Sequence, residues 1–261
     1  MIKLIRNLGR YGIEWICELG RMTIFLGNVL TGAFSPPGKF FSSVKQMQFI
    51  GNRSLAVISL TGAFSGMVLG LQGYYTLSKF GSEGLLGSAV SVSLITELGP
   101  VLTALMVTGR AGSAICAEIG IMRIEEQIEA LECMAINPYS YIISPKLIAC
   151  LLVLPFLTAI FDVVGIAGGY AVGVWLMGVN PGAFIWGMKN SVLNHDIWMG
   201  FVKSFFFALL IIWICTYKGF WAGTKPGSFG AEGVSKSTTE AVVLSSVMVL
   251  VADYIITSLM M

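Results

Sequence analysis

The chain carries little charge, which argues against a soluble domain. It also has a single histidine, which cannot by itself form a histidine-based metal site. Only 11% of its 261 residues are charged, whereas 56% are hydrophobic, and the mean hydropathy is +0.82. Soluble domains carry about 25% charged residues. The composition therefore predicts an integral membrane protein, and no nucleic-acid partner is expected.

Motifs for catalysis and metal binding are also missing from the sequence. There is no GxxxxGK[ST] phosphate loop, HExxH, CxxC or Ser/His/Asp arrangement. Five scattered cysteines and the lone His195 provide no metal-ligand set. We therefore expect no metal site, no cofactor in this chain and no enzymatic activity. If ATP is used, ATP and Mg²⁺ bind to another polypeptide.

What is present is a series of long apolar runs. A transmembrane helix needs about 20 apolar residues, and five stretches are long enough, at about residues 54–77, 85–108, 147–178, 198–217 and 240–260. All should be α-helical, because a backbone in lipid has to satisfy its own hydrogen bonds. The predicted fold is an all-α membrane protein with five transmembrane helices.

The first 50 residues are predicted to form interfacial helices ahead of a permease domain at residues 51–261. A basic stripe and an apolar stripe share the N-terminal segment, a pattern typical of a helix lying in the headgroup plane. The apolar run at residues 22–34 is short and is followed by Ser35-Pro36-Pro37-Gly38. We expect it to be half-buried or re-entrant, with a spanning helix as the alternative.

The distribution of basic residues predicts the orientation. Thirteen of the sixteen Lys and Arg residues lie before the first span, between the second and third, or between the fourth and fifth. Only Lys79 and Lys189 lie in the opposite loops. The positive-inside rule then places the N-terminus in the cytoplasm and the C-terminus outside.

Two glycine series have the four-residue spacing that allows helix backbones to approach closely. They are Gly62, Gly66 and Gly70 in the first span and Gly165, Gly169 and Gly173 in the third. One interpretation is packing within a single copy of the chain. The other is a dimer interface or a lipid-facing groove.

Charges at membrane depth are the strongest indication of a site, because each is costly there unless paired or hydrated. Glu97 precedes Gly99-Pro100, which should bend the helix, and Lys203 and Asp162 lie in later spans, with Asp253 a further candidate. A Glu97–Lys203 pair in a polar cavity would suit a charged amphipathic ligand; alternatively, each side chain snorkels separately. The apolar walls of this cavity would be Leu69, Leu71, Tyr74, Val101 and Leu105.

An acidic amphipathic helix is predicted to continue the second span, at about residues 119–136. Ile121, Ile124, Ile128, Leu131 and Met134 recur at helical spacing, and the acidic residues beside Arg123 are Glu118, Glu125, Glu126, Glu129 and Glu132. A soluble partner is the natural ligand of such a face. Arg110 and Glu118 either anchor the span at the interface or make charge-assisted bonds that fix the angle between the span and this helix.

The string from Glu97 to Lys146, ELGPVLTALMVTGRAGSAICAEIGIMRIEEQIEALECMAINPYSYIISPK, resembles the signature of the MlaE family of ABC transporter permeases. Weaker similarity extends to MVLGLQGY, GIAGGY and GAEGVSKSTTEAVV, and so covers nearly the whole chain after about residue 50. One departure is Glu129, where many relatives carry Asp or Ser.

The resemblance implies an inner-membrane permease that moves phospholipid between the inner and outer membranes and maintains lipid asymmetry. Relatives are homodimers that pair with an ABC ATPase, a periplasmic MCE-domain lipid-binding protein and a STAS-domain subunit. It also implies that residues 121–135 form the coupling helix that docks on the ATPase, and that Glu97 and Lys203 lie at the central lipid cavity.

Three alternatives stay open at this point. The substrate of an ABC permease could be a sterol or solvent rather than phospholipid. An ion-coupled secondary transporter would use Glu97, Asp162 and Lys203 as a relay. A membrane scaffold would recruit a soluble protein through the acidic helix without transporting anything.

Overall fold

The structure is a computed structural model that describes the backbone of residues 2–34, 39–223 and 230–260. Within these ranges there are ten α-helices and no strand. The helices are α1 (Ile2–Phe34), α2 (Lys39–Ser78), α3 (Leu86–Ser93), α4 (Gly99–Val107), α5 (Ser113–Ile124), α6 (Gln127–Cys133), α7 (Ser144–Tyr170), α8 (Pro181–Ser191), α9 (Asn194–Phe220) and α10 (Gly230–Met260).

Five helical segments are long and apolar enough to cross a membrane, which confirms the prediction of an all-α membrane protein. They are Phe41–Ser78, Glu83–Ile124, Tyr139–Leu176, Asn194–Phe220 and Gly230–Met260. Each is longer than predicted because helix continues past the apolar run at one or both ends. The boundary predicted between residues 50 and 51 falls inside the unbroken helix α2.

Helix α1 continues without a break through the apolar run at residues 22–34. Met22, Phe25 and Val29 are buried on one face, whereas Ile24 on the other face is 67% exposed. The run thus packs one face against the protein and belongs to the N-terminal helix. Its depth in the membrane stays a prediction. The predicted stripes at residues 2–12 lie outside the described side chains.

Helix α1 is held against the bundle by its backbone carbonyls and by the Phe25 ring. Trp213 Nε1 donates to Met22 O at 2.8 Å, and Ser144 Oγ donates to Val29 O at 3.3 Å. The Phe25 ring packs edge-on against Tyr139, Tyr217 and Phe220. These contacts fix α1 to the start of the third span and the end of the fourth.

The second span is interrupted by two π-helical turns, Leu94–Leu98 and Thr108–Gly112. Each turn inserts one extra residue into the hydrogen-bonding pattern, and such π-bulges occur frequently at functional sites. Pro100 follows the first turn, where its missing N–H cannot continue an α-helical bond. The bend predicted at Gly99-Pro100 therefore coincides with an irregular turn that rotates Glu97 relative to the residues after it.

The two glycine series pack against each other within one copy of the chain. A Cβ atom added to Gly66 would lie 1.8 Å from Gly165 O, and one added to Gly70 would lie 3.0 Å from Gly169 O. Gly173 instead faces Leu86 and Phe184. Helices α2 and α7 thus touch backbone to backbone, which supports packing within the monomer over the dimer-interface interpretation.

We predict that Gly66→Ala will lower stability by at least about 2 kcal/mol, because its methyl group cannot fit against the Gly165 carbonyl. The thermal midpoint in detergent should fall by about 5 °C. Gly27→Ala is the control, since a Cβ at Gly27 meets nothing within 4 Å. If the Gly66→Ala variant had the same thermal midpoint as the wild type, the close packing would be contradicted.

Candidate functional site

Lys203 is a fully buried cation in the N-terminal half of α9, with 0% of its side chain exposed. Its Nζ atom lies 2.8 Å from Glu97 Oε2 and 3.0 Å from Asp253 Oδ1. It also donates to the Thr96 carbonyl oxygen at 2.9 Å. The ammonium thus donates one hydrogen bond to a backbone carbonyl and forms ion pairs with two carboxylates. We call Lys203, Glu97, Asp253 and the Thr96 carbonyl the Lys203 cluster.

The backbone around Pro100 explains why Thr96 takes part. In an α-helix the Thr96 carbonyl would accept from the N–H of residue 100, but proline has none. The Lys203 ammonium takes this place from a neighbouring span. Gly99 is needed beside it, because a Cβ there would lie 1.9 Å from Asp162 Oδ1 of α7.

The last span closes the cluster from the other side. Thr257 Oγ1 donates to Glu97 Oε1 at 3.2 Å and to the Asp253 carbonyl oxygen at 2.8 Å. Two carboxylates against one ammonium leave a formal charge of −1. Glu97 and Asp253 keep 35% and 19% of their side-chain surface exposed. The acidic side of the cluster therefore reaches the protein surface, whereas the cation does not.

The structure brings Glu97 and Lys203 together, as one of the two alternatives predicted, and neither side chain snorkels alone. Asp253 is only a further candidate in the sequence. The feature that points to it is an acidic residue in an otherwise apolar span, one helical turn before the hydroxyl group of Thr257. The role of the pair in binding a lipid stays a prediction.

The predicted apolar walls divide between the core and the surface. Val101 is 9% exposed and belongs to the core. Leu69, Tyr74 and Leu105 are half-buried and pack against that core, and Leu71 is also half-buried. Their joint lining of a lipid cavity stays a prediction.

Asp162 lines a different space, a cavity of about 220 Å³ between α7 and α9. Thr158 and Ser204 also line it, but both hydroxyl groups donate to carbonyls of their own helices. The Asp162 Oδ1 atom has no hydrogen-bond partner among the described residues. Asp162 therefore does not join Glu97 and Lys203 in one chain of contacts, as a three-residue relay would require.

The acidic segment after the second span is two helices, so the prediction of one helix over residues 119–136 is wrong. Helix α5 ends at Ile124 and α6 begins at Gln127. Between them, Glu126 has the left-handed φ of 58°. The predicted apolar stripe is broken at this turn: Ile128 is fully buried, whereas Ile121 and Met134 are 48% and 61% exposed. Leu131 is half-buried.

Arg123 fixes the angle between α5 and α6. Its guanidinium lies 3.0 Å from Glu129 Oε1 and 5.4 Å from the centroid of the Phe220 ring at the end of α9. The side chains left exposed around the turn mix acidic and apolar character. The acidic and large apolar ones are Ile121, Ile124, Glu125, Glu126, Glu132 and Met134, and Gln127, Ala130 and Cys133 are exposed beside them.

Arg110 and Glu118 make charge-assisted bonds, but these join the second span to other spans and not to α6. Arg110 donates to Ser54 Oγ at 2.6 Å and to Phe49 O at 2.9 Å, both on α2. Glu118 Oε2 accepts from Lys146 Nζ of α7 at 2.7 Å, and Lys146 is 2% exposed. The segment that carries α6 is therefore braced against two neighbouring helices.

Comparison with known proteins gives matches along most of the chain. The family model described as Permease MlaE matches residues 43–259. The chain is 43% identical to the Intermembrane phospholipid transport system permease protein MlaE of Haemophilus influenzae, over 100% of this chain and 98% of that protein. It is 38% identical to a probable ABC transporter permease protein of Rickettsia bellii, over 99% of this chain and 98% of that protein.

A more distant relative comes from a plant. The chain is 34% identical to the chloroplastic protein TRIGALACTOSYLDIACYLGLYCEROL 1 of Arabidopsis thaliana, over 83% of this chain and 61% of that protein. The matched region of this chain thus also occurs inside a longer protein.

We predict that Lys203→Met will destabilise the protein by about 3–5 kcal/mol, because Glu97 and Asp253 are left without their cation. The triple variant Lys203→Met/Glu97→Gln/Asp253→Asn removes all three charges and should recover most of that loss. Thermal unfolding in detergent measures both. If the single variant is as stable as the wild type, the cluster is not a structural constraint.

Proposed function

This chain belongs to the MlaE permease family, and on that basis we propose that it is the membrane subunit of an ABC transporter for phospholipid. Transport would move phospholipid between the inner and outer membranes and maintain outer-membrane lipid asymmetry. The observation that carries the proposal is full-length similarity, at 43% identity, to a protein named as a phospholipid transport permease. The five apolar spans support a multi-pass location in the inner membrane.

The exposed surface of α5 and α6 is the proposed docking site for the ATPase, which would bind ATP and Mg²⁺. Glu125, Glu126 and Glu132 supply its negative charge, and Ile121 and Met134 supply apolar area. The Arg123–Glu129 ion pair holds the two helices at a fixed angle. Lys146 and Arg110 hold this end of the second span against neighbouring helices. A displacement of α5 and α6 by the ATPase would therefore move the whole span, including the turn that contains Glu97.

The wider assembly follows from the family. We propose a homodimer that pairs with a periplasmic MCE-domain lipid-binding protein and a STAS-domain subunit. Most of the apolar surface of helix α10 is uncovered within one copy of the chain, which leaves area for a second copy. The basic loops support a cytoplasmic N-terminus and a periplasmic C-terminus.

Transport itself can be measured in proteoliposomes. The chain, co-expressed with its ATPase, should transfer fluorescent phospholipid to acceptor vesicles in the presence of ATP and Mg²⁺. Without the ATPase, or with a nonhydrolysable ATP analogue, ATP-driven transfer should be absent. Uptake by this chain alone under an imposed proton gradient would instead support a secondary transporter. ATP-driven transfer of a sterol but not of phospholipid would overturn the substrate assignment.

We predict that Glu125→Lys together with Glu126→Lys will release the ATPase from the membrane, because both carboxylates are exposed at the turn between α5 and α6. Reversing charges across an interface lowers affinity by several kcal/mol. Co-purification of the ATPase measures the loss. Glu83→Lys, at the other end of the same span, is the matched control and should retain it. Retention by the double variant would contradict the docking site.

A further inference from the structure

A groove between α1, α9 and α10 lies apart from the Lys203 cluster and has a volume of about 500 Å³. Ligand pockets in proteins have volumes of about 300–1,000 Å³, so the groove is large enough for part of a lipid. Its walls are apolar, and they include Leu19, Met22, Trp213, Val243, Leu244 and Val247.

Three charged side chains occupy one end of this groove. Lys218 Nζ lies 3.2 Å from Glu18 Oε1 and 3.5 Å from Glu240 Oε2. Lys218 is 14% exposed, whereas Glu18 and Glu240 are 43% and 40% exposed. The formal charge of the three is −1, and the accessible part of the cluster is acidic. Arg21 is exposed one turn further along α1 and does not line the groove.

The charged end and the apolar end of the groove are arranged in the same order as the headgroup and the acyl chains of a lipid. Lys218 is two residues from the end of α9, at the same end of the bundle as α6. From Glu240 to Val247, α10 extends about 10 Å along the bundle, at 1.5 Å per residue. Over this distance the residues of α10 that line the groove change from charged Glu240 to apolar Val243, Leu244 and Val247. A ligand with its head at Glu18 and Glu240 would thus have its chain directed toward the bilayer centre.

We propose that this groove binds a phospholipid whose headgroup carries an amine, from the leaflet on the α6 side. The ammonium of a phosphoethanolamine headgroup would lie between the Glu18 and Glu240 carboxylates, where the charge of −1 favours a cation. The headgroup phosphate would contact Lys218, and one acyl chain would lie along Met22, Trp213 and Val247. An anionic phosphoglycerol headgroup lacks the cation that these carboxylates would bind. The proposal rests on the proposed phospholipid function and adds a second lipid site to it.

The site can be tested by photocrosslinking in the complete complex. Nanodiscs would contain phosphatidylethanolamine or phosphatidylglycerol with a diazirine on one acyl chain, and crosslinked residues would be mapped by mass spectrometry. We expect crosslinks at Leu19, Trp213 and Val247, about tenfold stronger for phosphatidylethanolamine, as one charge-assisted hydrogen bond would give.

Two sets of variants separate the charged end from the apolar groove. Glu18→Gln/Glu240→Gln should abolish the preference between the two lipids, whereas Glu232→Gln, elsewhere on α10, should leave it intact. Val243→Trp should fill the groove and weaken crosslinking of both lipids. Val243 is 57% exposed, so this variant is expected to fold.

Three outcomes would overturn the site: equal crosslinking of the two lipids in the wild type, a preference that survives Glu18→Gln/Glu240→Gln, or crosslinking of both lipids that is unchanged by Val243→Trp. The outcome is separable from the proposed function. If ATP-driven phospholipid transfer succeeds and the crosslinks are absent, only the groove assignment fails. If transfer fails and the crosslinks appear, the transport assignment fails instead.

Discussion

Burial of the Lys203 ammonium is the constraint on which the arrangement of the spans depends. A charge at membrane depth costs several kcal/mol unless it is paired, and the partners of Lys203 come from two other segments of the chain. Glu97 and the Thr96 carbonyl belong to a π-helical turn of the second span, Lys203 to α9 and Asp253 to α10. The cluster therefore fixes α9 and α10 against the first of the two irregular turns in the second span. The exposed acidic side of the cluster is consistent with the prediction that a polar headgroup binds here.

The rest of the bundle keeps that irregular turn in place. Helices α2 and α7 meet at Gly66 and Gly165 with no room for a side chain, and α7 also carries Asp162 against Gly99. At the other end of the second span, Arg110 and Glu118 connect it to α2 and α7. The proposed coupling would transmit a displacement of α6 through this braced helix to the turn at Glu97. This continuity gives a physical route from a docked ATPase to a membrane-embedded site.

Much of this arrangement could be predicted from the sequence, because the bilayer imposes simple rules. Span length follows from membrane thickness, and a buried Lys203 needs an acidic partner, for which Glu97 was the nearest candidate. The participation of Asp253 in the cluster depends on how α10 packs against α9. No local sequence pattern indicates that packing. The break at Glu126 does not follow from the sequence for a related reason: glutamate is a good helix former. Its left-handed conformation occurs together with the Arg123–Glu129 ion pair and the burial of Ile128, which are contacts of the folded chain. The unbroken α1 was missed because hydrogen bonds from Ser144 and Trp213 hold its apolar half in place.

If this chain is a phospholipid permease driven by a separate ATPase, both the ATPase and the lipid should stay bound to it on gentle extraction. Native co-purification of the chain from membranes, with mass spectrometry of bound subunits and lipids, measures this. We expect an ABC ATPase and phospholipid to be recovered together, with loss of the ATPase on addition of high salt because the docking surface is acidic. Recovery of the chain without any nucleotide-binding subunit, and with no retained phospholipid, would contradict the claim.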